Sequence, residues 1–95
     1  MAVTRLPGGT VKMTADADAI TAPFEACGVK LVVTAYTSTG TVTIRDAAGT
    51  TDLWTANVSA VGDKPADPIY INFPLGFNIA VTGTYTFILY VYPKK

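Results

Sequence analysis

Residues 77–92, FNIAVTGTYTFILYVY, constrain the fold more than any other part of the chain. From Thr84 to Tyr92 the odd positions are Tyr85, Phe87, Leu89 and Val91, all large and apolar. A strand sends alternate side chains to opposite faces, so this period of two predicts a strand with one face on a core. Phe77, Ile79 and Val81 repeat the pattern, alternating with Asn78, Ala80 and Thr82. Directly opposed residues share a face, so pairing the two runs requires a loop of odd length. Thr82-Gly83-Thr84 meets that requirement, with Gly83 free to take positive φ. The expectation is a closing hairpin with Val81 against Tyr85, Ile79 against Phe87 and Phe77 against Leu89. The even face of the last strand begins polar, with Thr84 and Thr86, then turns to Ile88, Tyr90 and Tyr92. A strand apolar on both faces is central in a sheet or covered by something else. In a chain this short, that cover points to another subunit.

The chain has 95 residues, room for one domain with a modest core. Thr is the commonest residue, with Val, Ile, Tyr and Phe plentiful, a set that favours strands. Net charge is zero, which speaks against a nucleic-acid groove or an anionic membrane surface. The charged fraction, 15%, is well below the usual value of about 25%. A small monomer should not be this apolar, and burial by association is the simplest account. Met1 is followed by Ala-Val-Thr-Arg rather than by a basic and then an apolar stretch, so no secretory leader is expected. The longest apolar run, 87–92, is too short to span a bilayer. Cys27, the single cysteine, reads as a small buried hydrophobe between Ala26 and Gly28.

Residues 1–9 end in Pro7-Gly8-Gly9 and read as an N-terminal arm or a loosely attached first strand. Residues 10–15 alternate as a short strand. Asp16-Ala17-Asp18 resembles the start of a calcium loop, but the third ligand, the Gly and the closing Glu are missing, so a turn is expected. Pro23 limits any strand at 19–25 to a short or edge position. Residues 29–37 form a second strong strand, with Val29, Leu31, Val33 and Ala35 inward and Lys30, Val32, Thr34 and Tyr36 outward. Ser38-Thr39-Gly40 turns the chain into 41–46, with Val42 and Ile44 inward. Ala47-Ala48-Gly49 then reads as a three-residue loop with Gly49 at positive φ, setting Val42 opposite Trp54. Two successive hairpins would make a meander. The breaker-rich stretch 61–68, VGDKPADP, is expected to carry the chain from one sheet to the other. Residues 69–73 form a strand with Ile69, Ile71 and Phe73 inward and Tyr70 and Asn72 outward, stopped by Pro74. No stretch carries helical spacing with caps. The fold class is therefore all-β. A single-domain antiparallel β-sandwich, jelly-roll-like, is expected over 10–95, with seven to eight strands and no long helix.

The chemistry is sparse. With no histidine and one cysteine there is neither a Cys-His nucleophile nor an ordinary zinc site. Every carboxylate sits in or beside an expected turn, where Asp caps backbone. Asp63 and Asp67 share one loop with no aromatic subsite nearby in sequence, a poor setting for a glycosidase pair. No enzyme activity and no cofactor is expected. Trp54, Tyr36, Tyr70, Tyr90 and Tyr92 offer aromatic platforms for sugar rings. Trp54 falls in phase with Val42 and Ile44 and so belongs to the core, whereas Tyr36 and Tyr70 alternate away from it. Tyr is also favoured in protein–protein contacts.

The second half of the chain carries a resemblance. The run Thr41-Val42-Thr43-Ile44-Arg45-Asp46-Ala47-Ala48-Gly49 is followed by a loop, and then by Ile69-Tyr70-Ile71-Asn72-Phe73-Pro74. Next come Leu75-Gly76-Phe77, Val81-Thr82-Gly83-Thr84 and a terminal Tyr/Val strand. Over residues 29–92 this is similar to short all-β virion structural proteins of tailed bacteriophages, which decorate or cement the capsid or serve as other small structural parts. No binding residue carries over, and the first 28 residues resemble nothing in that group. The resemblance implies a capsid decoration protein on the virion exterior, made in the host cytoplasm. Its partners would be itself, as a homo-oligomer and in particular a trimer, and the major capsid protein, with no nucleic acid and no membrane. Candidate interface residues are Tyr36, Tyr70, Ile88, Tyr90, Tyr92 and Leu6 of the arm. The alternative is a carbohydrate-binding or adhesin module of a phage or bacterial surface, using Tyr36 and Tyr70.

Overall fold

A computed structural model describes residues 3–63 and 67–94. Among them are ten strands and no helix. They are β1 (Thr4–Arg5), β2 (Val11–Met13), β3 (Ala19–Ile20), β4 (Phe24–Ser38), β5 (Gly40–Asp46), β6 (Asp52–Val58), β7 (Gly62–Asp63), β8 (Asp67–Phe73), β9 (Phe77–Val81) and β10 (Thr84–Pro93). The first sheet runs β1-β2-β10-β4, with β7 and β8 both paired to β4; the second runs β3-β9-β5-β6. Every ladder is antiparallel.

Set aside the two-residue strands β1 and β7, and the pairs β2·β10, β3·β9, β4·β8 and β5·β6 line up as one long hairpin. Its tip is the turn between β5 and β6. The hairpin is rolled so that successive pairs lie in alternate sheets, and β10·β4 and β5·β9 close the roll. Eight strands wound this way in two sheets make a jelly roll. One hydrophobic core fills the space between the sheets. Val11, Met13, Leu31, Phe87 and Leu89 come from the first sheet, and Val42, Ile44, Val58, Phe77 and Ile79 from the second. Phe77 anchors the core, with Phe73 at 4.7 Å and Phe24 at 5.5 Å between ring centroids.

This winding corrects the expected closing hairpin. β9 and β10 lie in different sheets, and Thr82-Gly83-Thr84 is an arch between them. Ile79 pairs with Ile44, Phe87 with Val33, and Leu89 with both Leu31 and Met13. Ser38-Thr39-Gly40 is likewise an arch, from β4 to β5, so the expected meander reduces to the β5–β6 hairpin. The reason is geometric. Three extended residues reach ~10 Å, which is also the gap between packed sheets. Inward alternation is the same whether two strands pair side by side or face each other.

The two arches stack on each other. Thr82 N–H donates to the Thr41 carbonyl at 2.9 Å, and Thr41 N–H to Thr82 Oγ1 at 2.9 Å. A Cβ on Gly40 would run into the Thr82 carbonyl, and one on Gly83, which has φ +85°, would sit 2.7 Å from the Thr39 carbonyl. Neither position has room for a side chain.

The β5–β6 hairpin does form, with Gly49 at φ 72°. Its loop is five residues, 47–51, because Asp46 closes it: Oδ1 accepts from the Thr50 and Thr51 N–H groups at 2.9 and 3.3 Å. Those bonds, the Thr50 N–H first, hold the Asp46 carboxyl below the usual carboxylate range. The longer loop and a bulge at Leu53 move the register two residues, so Trp54 opposes Ile44 and Val42 opposes Ala56. Trp54 packs against the core from β6.

β4 starts five residues earlier than its alternation suggests and runs for 15 residues. It carries extra residues at Cys27, Thr34 and Thr37 relative to β10, and each bulge switches the inward parity. Phe24 and Ala26 point in, then Val29, Leu31 and Val33, then Tyr36. Ala35 is therefore exposed and Tyr36 packs inward, the reverse of the expected pair. Cys27 is half-buried, and its thiol donates to the Pro93 carbonyl at 3.2 Å. The segment between β6 and β8 carries the chain back to the first sheet, as the breaker-rich stretch 61–68 predicts, with 64–66 outside the described residues.

Thr4 and Arg5 join the first sheet, and residues 6–9 turn the chain into β2. β1 pairs with β2, and Val3 packs against the core. The Asp16–Asp18 loop fastens the start of the roll to β9. Asp18 is fully buried, and its Oδ2 accepts from the Thr14 and Ala15 N–H groups, each at 3.0 Å. Asp16 Oδ1 accepts from the Val81 N–H at 2.8 Å. Ala17 between them sits at φ 66°.

Candidate functional site: the outer face of the first sheet

β10 is central in its sheet, with β2 on one side and β4 on the other. Its strict alternation sends Ile88, Tyr90 and Tyr92 outward, and the ladder registers place their neighbours. Ile88 lies beside Val32, which opposes Asp63 of β7. Tyr90 lies between Lys30 on β4 and Lys12 on β2. Tyr92 lies beside Gly28, where an added Cβ would stand 3.4 Å from Tyr92 Cδ2, so the glycine leaves room for the ring. Ile88, Tyr90, Tyr92 and Val32 are half-buried by their own neighbours, and none packs against the core. The middle of this face is thus an aliphatic and aromatic stripe edged by lysines.

Towards the β8 edge the same face becomes polar. Glu25 opposes Asn72. Lys94 N–H donates to the Glu25 carbonyl at 2.8 Å, and its Nζ stands 3.8 Å from Glu25 Oε2. Tyr70 is 84% exposed. These residues line a cleft of about 190 Å³ with Ala26 and Ile71. A second cleft, about 210 Å³, lies between the β5–β6 turn and the 74–76 arch, with the exposed Leu53 and Leu75 at its rim.

Four of the six candidate residues, Tyr70, Ile88, Tyr90 and Tyr92, are brought to this one face. Tyr36 is not among them. It faces inward opposite Tyr85, and its hydroxyl is 2.6 Å from Oγ1 of Thr39 in the arch. Leu6 is half-buried in the turn between β1 and β2, where its N–H donates to the Thr10 carbonyl at 2.8 Å. Sequence reasoning missed Val32, Lys30 and Lys12 as members of the stripe. Their outward parity was visible, but pairing β10 with β9 instead of with β2 and β4 hid their adjacency. It also missed Glu25 and Lys94, which only the 26–93 register brings together.

Most carboxylates are engaged in holding the fold. Asp16, Asp18 and Asp46 accept from backbone N–H groups. Asp52 pairs with Arg45 at 2.8 Å, and Asp67 accepts from Trp54 Nε1 at 3.2 Å across the open side of the sandwich. No three His, Cys, Asp or Glu side chains converge among the described residues. What the face can offer is contact: apolar area, tyrosine hydroxyls and flanking ammonium groups.

Comparisons with protein-family models, with curated proteins and with solved structures return no match for this chain.

Proposed function

We propose that this protein is a non-enzymatic structural component of a tailed-phage virion that self-associates and seats on a capsid surface through the outer face of the β2-β10-β4 sheet. The observation that carries the reading is the position of Ile88, Tyr90 and Tyr92 in the middle of a sheet, pointing away from the core. Large apolar groups on the outer side of a central strand add only cross-strand contacts to its own fold and leave half their surface in water, and such groups favour association. The molecule measures 34 × 27 × 22 Å, so its broad side offers area on the order of the ~800 Å² that each partner contributes to a standard interface. The virion setting rests on the resemblance of residues 29–92 to phage decoration proteins. The jelly roll, used in viral capsid and lectin domains, agrees with it by fold-level analogy alone.

Size-exclusion chromatography with light scattering tests the proposal. The unmodified protein is expected to run as an oligomer, a trimer in the capsid setting, and Ile88→Ser with Tyr90→Ser to run as a 10 kDa monomer with circular dichroism unchanged. An unmodified protein that stays monomeric at every concentration and does not co-sediment with capsids would overturn it.

A further inference from the structure

We propose that the cleft between β4, β8 and the end of β10 is a saccharide subsite that takes one neutral pyranose ring. The proposal stands apart from the self-association reading, because it concerns the polar edge of the face and not the stripe. Four side chains of complementary chemistry line it, Tyr70, Asn72, Glu25 and Lys94, over the backbone of Ala26 and Ile71, whose side chains turn to the core. Tyr70 projects from a strand position whose neighbours Ile69 and Ile71 pack on the core, so its ring is held at the base and open above. A sugar ring presents an apolar C–H face, which an exposed aromatic ring covers, and a rim of hydroxyls that need donors and acceptors. The Asn72 amide makes no hydrogen bond among the described residues and offers both. Glu25 and Lys94 stand 3.8 Å apart and are 56% and 64% exposed, so their oxygens and ammonium hydrogens remain available to adjacent hydroxyls.

Their opposite charges cancel, which disfavours phosphate or an acidic sugar relative to a neutral one. At about 190 Å³ the cleft is smaller than the ~300–1,000 Å³ of drug-sized sites, which suits a single ring. The backbone beneath is fixed. Glu25 and Asn72 are ladder partners, and the Lys94 N–H is bonded to the Glu25 carbonyl. A ligand therefore has side chains to order there, but no backbone.

The test is a ¹⁵N-resolved NMR titration of the full chain with methyl glycosides of glucose, galactose, mannose and N-acetylglucosamine, and with inorganic phosphate. At least one glycoside is expected to shift the amides of Glu25, Tyr70, Asn72 and Lys94 saturably, while phosphate leaves them in place. Tyr70→Ala is expected to weaken that binding by about tenfold or more, the size of a lost aromatic anchor. Tyr70→Phe should retain it. Absence of saturable shifts with every glycoside, an equal response to phosphate, or full binding by Tyr70→Ala would each overturn the proposal. So would an oligomer that dissociates on Tyr70→Ala with no glycoside response, which would assign the ring to contact between copies.

Discussion

Replacing Tyr85 by Phe should stabilise the protein. Tyr85 points inward from β10, and its ring meets Phe87 edge-on at 5.9 Å. Its hydroxyl is enclosed and has no hydrogen-bond partner among the described residues. A buried hydroxyl left unpaired costs about 1–3 kcal/mol. Tyr85 as a whole is only half-buried, so the low end applies, about 1 kcal/mol. Phe keeps the ring and its contact and removes that penalty. For a domain of this size 1 kcal/mol corresponds to roughly 4–8 °C in Tm, readable by calorimetry or circular dichroism at neutral pH. A second arm uses pH. Burial first, and then the Asp16 carboxylate, raise the Tyr85 phenol above its ordinary value of 10.0. Between that value and the raised one, the unfolded chain has lost a proton that the folded chain keeps. The unfolded state then binds fewer protons, so stability falls as pH rises past about 10. The Tyr85→Phe variant would have no proton to lose, and the Tm gap between variant and parent should widen from neutral pH to about pH 11. A variant that melts several degrees below the parent at neutral pH would show that the hydroxyl has a partner, and the argument would fall. A gap that does not change with pH would equally refute the burial of the phenol.

Gly76→Ala should lower stability by about 3 kcal/mol or more, because its φ of +94° is strained for any side chain and a Cβ would meet the Ile20 carbonyl. Gly8→Ala, with φ +88° but open space around it, is the control and should lose only about 1–2 kcal/mol; urea midpoints separate the two. Asp18→Ala should cost about 1–3 kcal/mol, since it removes a buried acceptor of the Thr14 and Ala15 N–H groups in a partly buried loop, and amide hydrogen exchange should show β2 and β9 loosening before the rest of the roll.

The strands were largely legible from the chain, because inward alternation in 69–73, 77–81 and 84–92 is strong enough to survive any pairing. The pairing was not legible. Ser38-Thr39-Gly40 and Thr82-Gly83-Thr84 have the length and the glycine of hairpin loops, yet both are arches, and local sequence does not distinguish ~10 Å along a loop from ~10 Å between sheets. What separates them is Gly40 against the Thr82 carbonyl, a contact between residues far apart in the chain. The misplacement of Tyr36 has a different origin. Three bulges in β4 reset the inside of the strand, and a bulge is invisible to a count of odd and even positions. β10, which has no bulge, placed Ile88, Tyr90 and Tyr92 correctly on the outer side. The Glu25–Lys94 end of the cleft depends on the register at the last turn of the roll, which no pattern within either strand encodes.

The second sheet supplies an internal comparison for the outer face of the first. β5 holds there the place that β10 holds in the first sheet, a central strand flanked on both sides. Its outward residues are Thr41, Thr43 and Arg45, beside Thr55, Asn57, Asn78 and Ala80 on the flanking strands. Thr43 is buried there, with its hydroxyl 3.3 Å from Thr55 Oγ1, so small polar side chains close over the middle of a central strand without help. The jelly roll therefore does not require bulky apolar groups at such positions. The same fold carries Val32, Ile88, Tyr90 and Tyr92 on one side and threonines on the other. Core packing is shared by both sheets and does not account for the difference. The contact proposed for the first sheet would account for it, and the proposal predicts that exchanging Ile88 and Tyr90 for Thr leaves the fold intact while abolishing self-association.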